Sequence, residues 1–554
     1  MVDFVPAPQL ANSADSVKRL PYFCAGCPHN SSTKVPDGSR AYAGIGCHYM
    51  VQWMDRETST FTHMGAEGVT WAGAAHFTSE KHVFINIGDG TYFHSGLLAI
   101  RAAVSSKVNA TYKVLFNDAV AMTGGQRHDG PLNPWLISQQ LHAEGVSPIV
   151  VVTDEPHKYP AGTAWAPGVT IRHREELDAV QKELREKPGI SAMIYDQTCA
   201  SEKRRRRKIG QFPDPAKRAF INDAVCEGCG DCSVKSNCIS VEPLETEFGR
   251  KRQINQNSCN KDFSCVKGFC PSFVTIEGGE LKKPKKDKRL NPFDASLPPV
   301  PQPLVPNAEK AWGIVVAGVG GTGVITIGQL LGMAAHLEGK GVITQDAAGL
   351  AQKGGATWSH IQIANTPEAI HCTKVGTAEA DLVIACDSIV AANKTTLAVM
   401  REGRSYVALN THGSPTATLV NNADWSFPGH ACEAAIAKAV GNEHVGMFDA
   451  EEVAVKLLGD SLYTNPLMLG FAWQKGRVPL SHAALMRAIE LNGVQVDNNK
   501  AAFEWGRRCA HDLAAVKSLF AAQQVINFVK RQGVDELIAK RVEFLIGYQD
   551  SAYA

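Results

Sequence analysis

Two polar residues follow two apolar segments in the first part of the 554-residue chain. Asp89 lies in a Gly88-Asp89-Gly90 turn after VFINI, and Asn117 follows YKVLF 28 residues later. A carboxylate and an amide oxygen at the ends of adjacent strands can hold one Mg²⁺, with the backbone carbonyl of Ala119 as a third oxygen. Glycines let the backbone approach a diphosphate closely. The spacing predicts a magnesium and diphosphate site; the alternative is an ordinary turn with an unrelated asparagine.

The chain also holds fifteen cysteines, and eleven of them lie at or before residue 270. Clustered cysteines in a large protein without an export signal indicate metal or redox sites more than disulfides. The first set combines a C-x₂-C pair with two distant thiols: Cys24, Cys27, Cys47 and Cys199. By spacing alone, a structural zinc site with two buried thiols is as good an interpretation as a redox site.

A second set of seven cysteines has the spacing of a two-cluster ferredoxin, in which the last cysteine of each run ligates the other run's cluster. Applied here, cluster one uses Cys226, Cys229, Cys232 and Cys270. Cluster two uses Cys238, Cys259 and Cys265, with Asp262 at the position of the missing cysteine. We therefore expect cluster two to be an Asp262-ligated [4Fe–4S] or a [3Fe–4S] cluster. The Cys270-Pro271 ending favours iron–sulfur over zinc.

A glycine-rich turn lies in the C-terminal half, between the apolar segment IVVA and the helical segment GVITIGQLLGMAA. Its glycines, whose amides can form an anion site at a helix N-terminus, are Gly318, Gly320, Gly321 and Gly323. Asp346, 23 residues beyond Gly323, completes a pattern expected for nicotinamide or flavin binding. The alternative is a turn that only lets a strand and a helix pack closely.

The elements that must position these residues alternate between short apolar strands and helical segments, which predicts an α/β multidomain protein. We expect a parallel-sheet domain over 15–210, a small ferredoxin-like insert over 215–277, a Lys- and Pro-rich linker over 278–310, a second, Rossmann-like α/β domain over 311–480 and a helical C-terminal region over 481–554. The basic run 201–210 is expected to be a solvated linker or a face against an acidic partner.

The composition excludes some classes of function. Apolar residues make up 44% and charged residues 20% of the chain, and the formal charge is +1. A chain with this balance is not built to coat nucleic acid or anionic lipid. We find no convincing membrane span and no signal peptide in MVDFVPAPQL. We therefore expect a cytoplasmic protein without nucleic-acid or membrane partners.

The order of motifs in the first domain resembles the thiamine-binding part of the 2-oxoacid:ferredoxin oxidoreductases, in their indolepyruvate type: FCAGCPHN, GIGCHYM, GDGTYFHSGLLAI, FNDAVAMTGGQ and QTC. The resemblance covers about residues 20–200. It implies that Asp89, Asn117 and the Ala119 carbonyl hold the Mg²⁺ of thiamine diphosphate. It also implies that the first four cysteines ligate one [4Fe–4S] cluster. The segment implied to lie beside the cofactor is Thr123, Gly124, Gly125 and Gln126.

The C-terminal stretch from GVGGTGVIT to GGATWSHIQI resembles the gamma domain of the same family over about residues 312–480. In the family this domain helps to form the catalytic assembly and its coenzyme A region, which favours a non-nicotinamide interpretation of the glycine turn. We find no copy of the family's pyrimidine-binding domain, so we expect the carboxylate that activates thiamine on a partner chain. Glu67 is expected only to start a helix, and we name no catalytic residue. The resemblance implies a dimer of heterodimers.

The expected function is thiamine-dependent oxidative decarboxylation of a 2-oxoacid, indolepyruvate or another arylpyruvate, with coenzyme A as acyl acceptor and ferredoxin as electron acceptor. One alternative is a NAD(P)- or flavin-linked iron–sulfur electron-transfer subunit, which would leave Asp89, Asn117 and the first four cysteines unused. A second alternative is a ferredoxin-like electron-carrying or scaffold subunit with a decayed thiamine site. It is disfavoured because both predicted magnesium ligands are intact.

Overall fold

The computed structural model describes residues 18–279, 290–347, 354–521 and 533–554. The segment MVDFVPAPQL, in which we find no signal peptide, lies outside these ranges. The strands are β1 (Ala41–Tyr42), β2 (Thr58–Ser59), β3 (Val83–Gly88), β4 (Ala110–Phe116), β5 (Ile149–Thr153), β6 (Thr170–His173), β7 (Ile190–Asp196), β8 (Lys217–Ile221), β9 (Val241–Thr246), β10 (Gly249–Ile254), β11 (Phe273–Glu277), β12 (Trp312–Val319), β13 (Gly341–Asp346), β14 (Ala356–Ala364), β15 (Ala380–Ala385), β16 (Tyr406–Asn410) and β17 (Val445–Phe448).

The helices are α1 (His29–Ser32), α2 (Val69–Ala74), α3 (Asp89–Thr91), α4 (Leu97–Ser105), α5 (Pro134–Ala143), α6 (Leu177–Arg185), α7 (Ala200–Lys208), α8 (Asp231–Ser236), α9 (Val324–Leu337), α10 (Ser388–Ala391), α11 (Lys394–Leu397), α12 (Thr418–Asn421), α13 (Gly429–Val440), α14 (Ala450–Leu458), α15 (Thr464–Gln474), α16 (His482–Asn492), α17 (Val496–His511), α18 (Leu513–Ala521) and α19 (Val534–Tyr548). None of these helices, within the described parts of the chain, is long and apolar enough to cross a membrane.

The first domain is built on a seven-stranded sheet in which all paired strands are parallel. Its order is β2-β1-β3-β4-β7-β5-β6. The central strands β4 and β7 are buried at every residue, as expected for a parallel sheet covered on both faces. The predicted parallel sheet is confirmed. Because all its strands point the same way, the segments that follow them emerge at one edge.

The basic run 201–210, expected as a solvated linker or a face against an acidic partner, is helical over residues 201–208, within α7. Arginine and lysine are good helix formers, and basic residues near a C-terminus interact favourably with the helix dipole. Two of its side chains also contact other elements. Arg206 Nη1 donates to Asp118 Oδ2 at 2.6 Å, and Arg207 Nη1 donates to the carbonyl of Asn260 at 2.9 Å. The run therefore joins the first domain to the cysteine-dense insert.

The insert has little regular structure. Strand β8 pairs antiparallel with β11, and β9 pairs antiparallel with β10, so each sheet has only two strands. Its buried apolar core consists of Ala219, Ile221, Cys226, Val241 and Ile254. Two-stranded sheets on so small a core are only marginally stable unless bound metal or disulfides add to their stability.

The C-terminal domain holds a six-stranded sheet of order β13-β14-β12-β15-β16-β17. Strands β12, β15, β16 and β17 are parallel, whereas β14 runs antiparallel to both of its neighbours. The largest buried core lies between this sheet and its helices. It includes Leu331 of α9, Trp473 of α15, Leu485 of α16 and Trp505 of α17. The boundary predicted at residue 480 therefore divides a single packed unit.

The described part of the predicted linker, residues 290–310, is in contact with the C-terminal domain. Arg508 of α17 donates hydrogen bonds to the backbone carbonyls of Pro292 and Pro298, at 2.7 and 2.8 Å. Residues 280–289 lie outside the described ranges. The proline-rich stretch thus packs along the C-terminal domain, because proline cannot donate but its carbonyl still accepts.

Candidate active site

One pocket lies at the carboxyl edge of the parallel sheet, where segments that follow β1, β3 and β4 meet. Its volume is about 450 Å³, and its lining includes Cys47, Asp89, Asn117 and Ala119. Gly46, just before Cys47, has a φ of +142°. A Cβ there would lie 2.8 Å from the ring of His48, so both conformation and space call for glycine.

Asp89 is held at the end of β3 by backbone amides. Its Oδ1 accepts from Gly90 N, and its Oδ2 accepts from Asn117 N, each at 2.8 Å. The side-chain oxygen of Asn117 is buried beside it and has no hydrogen-bond partner within the described chain. Buried polar atoms in native proteins nearly always have partners. A carboxylate beside an unpaired amide oxygen therefore fits a cation such as Mg²⁺.

The segment Thr123 to Gln126 forms a closed turn at the pocket's edge. Thr123 Oγ1 donates to Gln126 Oε1 at 2.7 Å, and Gln126 Nε2 donates back to the Thr123 carbonyl at 3.1 Å. Thr123 lines the pocket, whereas Gly124, Gly125 and Gln126 are not among its lining residues. The geometry thus brings one of the four predicted residues to the pocket and leaves the other three beside it.

The first four cysteines line a second cavity, which shares Cys47, Asn117 and Ala121 with the pocket. They arrive from three places: Cys24 and Cys27 from the loop before α1, Cys47 from the segment after β1, and Cys199 from the start of α7. Burial raises the pKa of the Cys27 thiol well above its usual value, and the negative charges of the other three thiolates raise it further.

The four thiols line a cavity and do not converge on a single metal position. Among the described residues, no three His, Cys, Asp or Glu side chains are placed to hold a single metal ion. Zinc needs its ligands at about 2.0–2.3 Å from one centre. Thiols spread around a cavity fit an iron–sulfur cluster better, since its irons are distributed over several positions.

Six of the seven cysteines of the insert form two groups. Burial raises the pKa of Cys232 to about 11, with Cys226 and Cys229 adding like-charge repulsion. In the other group, burial raises the pKa of Cys265 to about 12, and its thiol neighbours are Cys238 and Cys259.

These two groups match six of the seven predicted cysteine ligands. Cys229 and Cys270 are exposed. Asp262 lies beside Cys238 and Cys265, and its carboxylate is paired with Arg174.

The glycine turn after β12 is tightly packed. A Cβ on Gly318 would lie 2.7 Å from Val324 and 3.0 Å from Cys386. Gly320 N donates to the Gly355 carbonyl at 2.7 Å. Gly321 and Gly323 have φ values of +89° and +98°, and α9 follows directly. Close strand–helix packing therefore accounts for Gly318, as the alternative interpretation expects, and the positive φ values account for Gly321 and Gly323.

Asp346 does end a strand, as the dinucleotide pattern requires, but that strand is not the neighbour of β12. The antiparallel strand β14 lies between β12 and β13. In dinucleotide-binding folds the two strands are adjacent, so that the acidic residue can reach the ribose. The sheet order of the described chain does not favour nicotinamide binding at this turn.

Two residues of the site were not singled out as functional by sequence reasoning. His48 and His128 line the pocket, and His128 Nε2 lies 3.6 Å from Asp89 Oδ2. Burial lowers the pKa of His48 to about 4, so its ring is neutral. Both histidines sit next to recognised motifs, and only the fold shows that they face the pocket.

Glu67 was expected only to start a helix. It is fully buried just before α2, and its carboxylate accepts hydrogen bonds from the amides of Gly65 and Ile45. Burial raises its pKa. Because Ile45 belongs to the GIGC segment, Glu67 positions the loop that carries Cys47.

Two family models match the chain. The C-terminal TPP-binding domain of thiamine pyrophosphate enzymes matches residues 44–194, and pyruvate ferredoxin/flavodoxin oxidoreductase matches residues 313–509. Indolepyruvate oxidoreductase subunit IorB of Methanothermobacter thermautotrophicus is 32% identical over 197 residues, which cover 35% of this chain and 95% of that subunit.

Matches to subunit IorA are partial. IorA of Thermococcus kodakarensis is 25% identical over 280 residues, covering 41% of this chain and 41% of that subunit. IorA of Pyrococcus horikoshii is 26% identical over 298 residues, covering 48% and 42%. The chain thus spans about two fifths of the length of these IorA relatives. With nearly all of IorB matched and a thiamine-binding domain beside it, the chain belongs to the 2-oxoacid:ferredoxin oxidoreductase family, in its indolepyruvate type.

Proposed function

We propose that this chain is the thiamine-binding and electron-transfer subunit of an enzyme that oxidatively decarboxylates arylpyruvates. The reaction is balanced as follows: a 2-oxoacid and coenzyme A give an acyl-CoA, CO₂ and one proton, while two electrons pass singly to two ferredoxins. The observation that carries the proposal is the wall shared by the pocket and the four-cysteine cavity. A substrate bound at the pocket would lie next to its first electron acceptor.

The pocket's own residues account for cofactor binding. Asp89, fixed by two amides, and the unpaired Asn117 Oδ1 would hold Mg²⁺, with the buried Ala119 as the source of a backbone oxygen. Mg²⁺ favours such oxygens and shares its coordination with phosphate. Thiamine diphosphate, when bound, supplies the carbanion chemistry that releases CO₂ from a 2-oxoacid.

The cysteine groups account for electron transfer. Cys24, Cys27, Cys47 and Cys199 would hold a [4Fe–4S] cluster beside the pocket, and the two groups of the insert would hold the others. Exposed Cys229 and Cys270 lie on the insert's outer side, where a soluble ferredoxin can approach. Thiolates that must stay reduced to bind iron fit a cytoplasmic location.

The pocket's rim supports an aromatic substrate and a partner chain. Its apolar lining includes Met64, Phe93 and Met122. The described carboxylates that line it are Asp89, committed to backbone amides, and the exposed Asp129. The carboxylate that activates thiamine would therefore come from the pyrimidine-binding subunit of a dimer of heterodimers.

Anaerobic native mass spectrometry of the complex from its own host tests the proposal. We expect a second polypeptide, thiamine diphosphate and the mass of three clusters. A lone chain that carries zinc or a nicotinamide and no thiamine would refute it.

A further inference from the structure

Asp262 lies where the insert meets the first domain. Its Cβ is 2.9 Å from the place a Cβ would occupy on Gly26, within the Cys24–Cys27 loop. Gly26 has a φ of +66°, so glycine is favoured there by conformation as well as by space. The loop that carries two thiols of the first set therefore packs directly on this aspartate.

Both carboxylate oxygens of Asp262 already have partners. Oδ1 accepts from Arg174 Nη1 at 2.5 Å and from Gln197 Nε2 at 3.1 Å, while Oδ2 accepts from the hydroxyl of Ser264. Arg174 Nη2 also donates to the Asp262 carbonyl at 3.1 Å. Arg174 and Asp262 are each 11% exposed, so the pair is largely shielded from water.

Gln197 links this pair to the first set of cysteines. Tyr195 Oη donates to Gln197 Oε1 at 2.9 Å, which turns the Gln197 amide nitrogen towards Asp262. Gln197 stands two residues before Cys199 and is itself tied to the end of β4 by a bond from its amide to the Phe116 carbonyl. Asp262 is thus connected to two of the three segments that carry thiols of the four-cysteine cavity, the Cys24–Cys27 loop and the segment before Cys199.

The three-thiol group of Cys238, Cys259 and Cys265 faces the same junction. The Gly26 amide lies close enough to the Cys238 thiol to lower its pKa, against the larger rise caused by burial. Asn260 Nδ2 donates to the Ala25 carbonyl at 2.8 Å. The peptide between Cys24 and Cys27 therefore touches a thiol of the second group, whereas Cys229 of the other group is exposed.

We propose that Asp262 is a positioning residue and not a cluster ligand. Through Arg174 and Gln197 it holds the three-thiol group against the first four cysteines, as the next electron acceptor. The three-thiol group then has three protein ligands, which fits a [3Fe–4S] cluster or a [4Fe–4S] cluster with one iron that no side chain holds. The inference rests on the proposed function, since it takes both groups to bind iron.

Two charge-removing changes in the anaerobically purified complex test this role. Asp262→Asn cannot bind iron as a carboxylate, and Arg174→Gln removes the ion pair without touching a thiol. We expect full iron content and an unchanged three-iron EPR signal after mild oxidation in both variants. Reduction of the three-thiol cluster by substrate should slow several-fold in freeze-quench EPR, because electron transfer slows steeply as the distance between two clusters grows. Reduction by dithionite should not change.

Lys267→Ala is the matched control, because it breaks the exposed pair with Glu175 at the same junction. It should leave both rates unchanged. Loss of iron in Asp262→Asn but not in Arg174→Gln would show that Asp262 is a ligand and overturn the inference. Wild-type reduction rates in both variants would overturn it too. A wild-type complex without iron would instead refute the proposed function.

Discussion

At the scale of single residues, the pocket gathers buried polar atoms that the protein itself does not satisfy. Asn117 Oδ1 and His48 Nε2 both lack hydrogen-bond partners within the described chain, and both residues line the pocket. Unsatisfied buried groups cost about 1–3 kcal/mol each. Such a concentration is tolerated where a ligand supplies the missing partners, which is the ordinary situation of a cofactor site.

Asn117→Ala should weaken the magnesium-dependent binding of thiamine diphosphate to the complex by at least about tenfold, because even outer-shell partners of a metal are worth about 10–100-fold in affinity. The backbone amide that binds Asp89 is kept in this variant, so the loop should not move. Anaerobic titration calorimetry measures the affinity. Asp129→Asn, at the exposed edge of the same pocket, is the control and should bind normally. Equal affinities for the two variants would contradict the assignment of Asn117 as a magnesium ligand.

At the scale of elements, strand β4 carries an unusual residue in its centre. Lys113 is fully buried, and its ammonium donates to the Lys34 carbonyl at 3.0 Å and to Gln181 Oε1 at 2.7 Å. Burial, helped by the charge of Arg56, lowers its pKa to about 7. A lysine whose folded-state pKa lies below its unfolded value loses stability as pH falls from about 10.4 through that interval.

Lys113→Met should remove this dependence. Between pH 10 and pH 7 the wild-type chain should lose about 4 kcal/mol relative to the variant, the amount that corresponds to the lowered pKa. Melting temperatures of the anaerobic complex at both pH values, compared between wild type and variant, measure the difference. The two unpaired acceptors left in the variant lower its stability equally at both pH values. A wild-type-minus-variant difference that does not change with pH would contradict the prediction.

The insert should depend on its metal more than the two α/β domains do, because its apolar core is small. Anaerobic removal of iron with a chelator should raise amide hydrogen exchange over residues 215–277. Strands β3 and β4 should keep their protection, since a buried parallel sheet supports them. Hydrogen-exchange mass spectrometry measures all these segments in one experiment. An insert that stays protected after complete loss of iron would show that protein contacts alone hold it.

The sequence predicts a feature when the contacts that determine it lie between residues close together in the chain. The ends of β3 and β4 were predictable because each apolar run stops at the residue that the site uses, Asp89 or Asn117. The partner of Asp262 was not, since Arg174 lies 88 residues away and on another domain. The antiparallel strand β14 was missed for the same reason: sheet order depends on pairings between distant segments. Helix α7 was missed because a basic run suits a linker and a helix equally well.

At the scale of the whole molecule, two ion pairs between described residues join the first part of the chain to the C-terminal domain, and they differ in burial. Arg19 pairs with Asp387 at 2.6 Å, with side chains 3% and 4% exposed, and it also donates to the Ser414 carbonyl at 2.7 Å. Lys208, at the end of α7, pairs with Asp460, but its side chain is 42% exposed. Both ion pairs connect the same two domains, but losing a partner from the buried pair should cost far more stability than losing one from the exposed pair.

Arg19→Met should destabilise the C-terminal domain by about 3–5 kcal/mol, because it leaves the buried Asp387 without a counter-charge. Lys208→Met should cost no more than about 1 kcal/mol, since an exposed pair gains little over its hydrated ions. Anaerobic thermal unfolding of the complex, followed by tryptophan fluorescence, compares the two variants directly. Asp387 also accepts from Val390 N at the start of α10, and Arg19→Met leaves that cap in place, so the loss reports the ion pair. Equal melting temperatures for the two variants would mean that the domains are held together by the insert and α7, and not by the N-terminal segment.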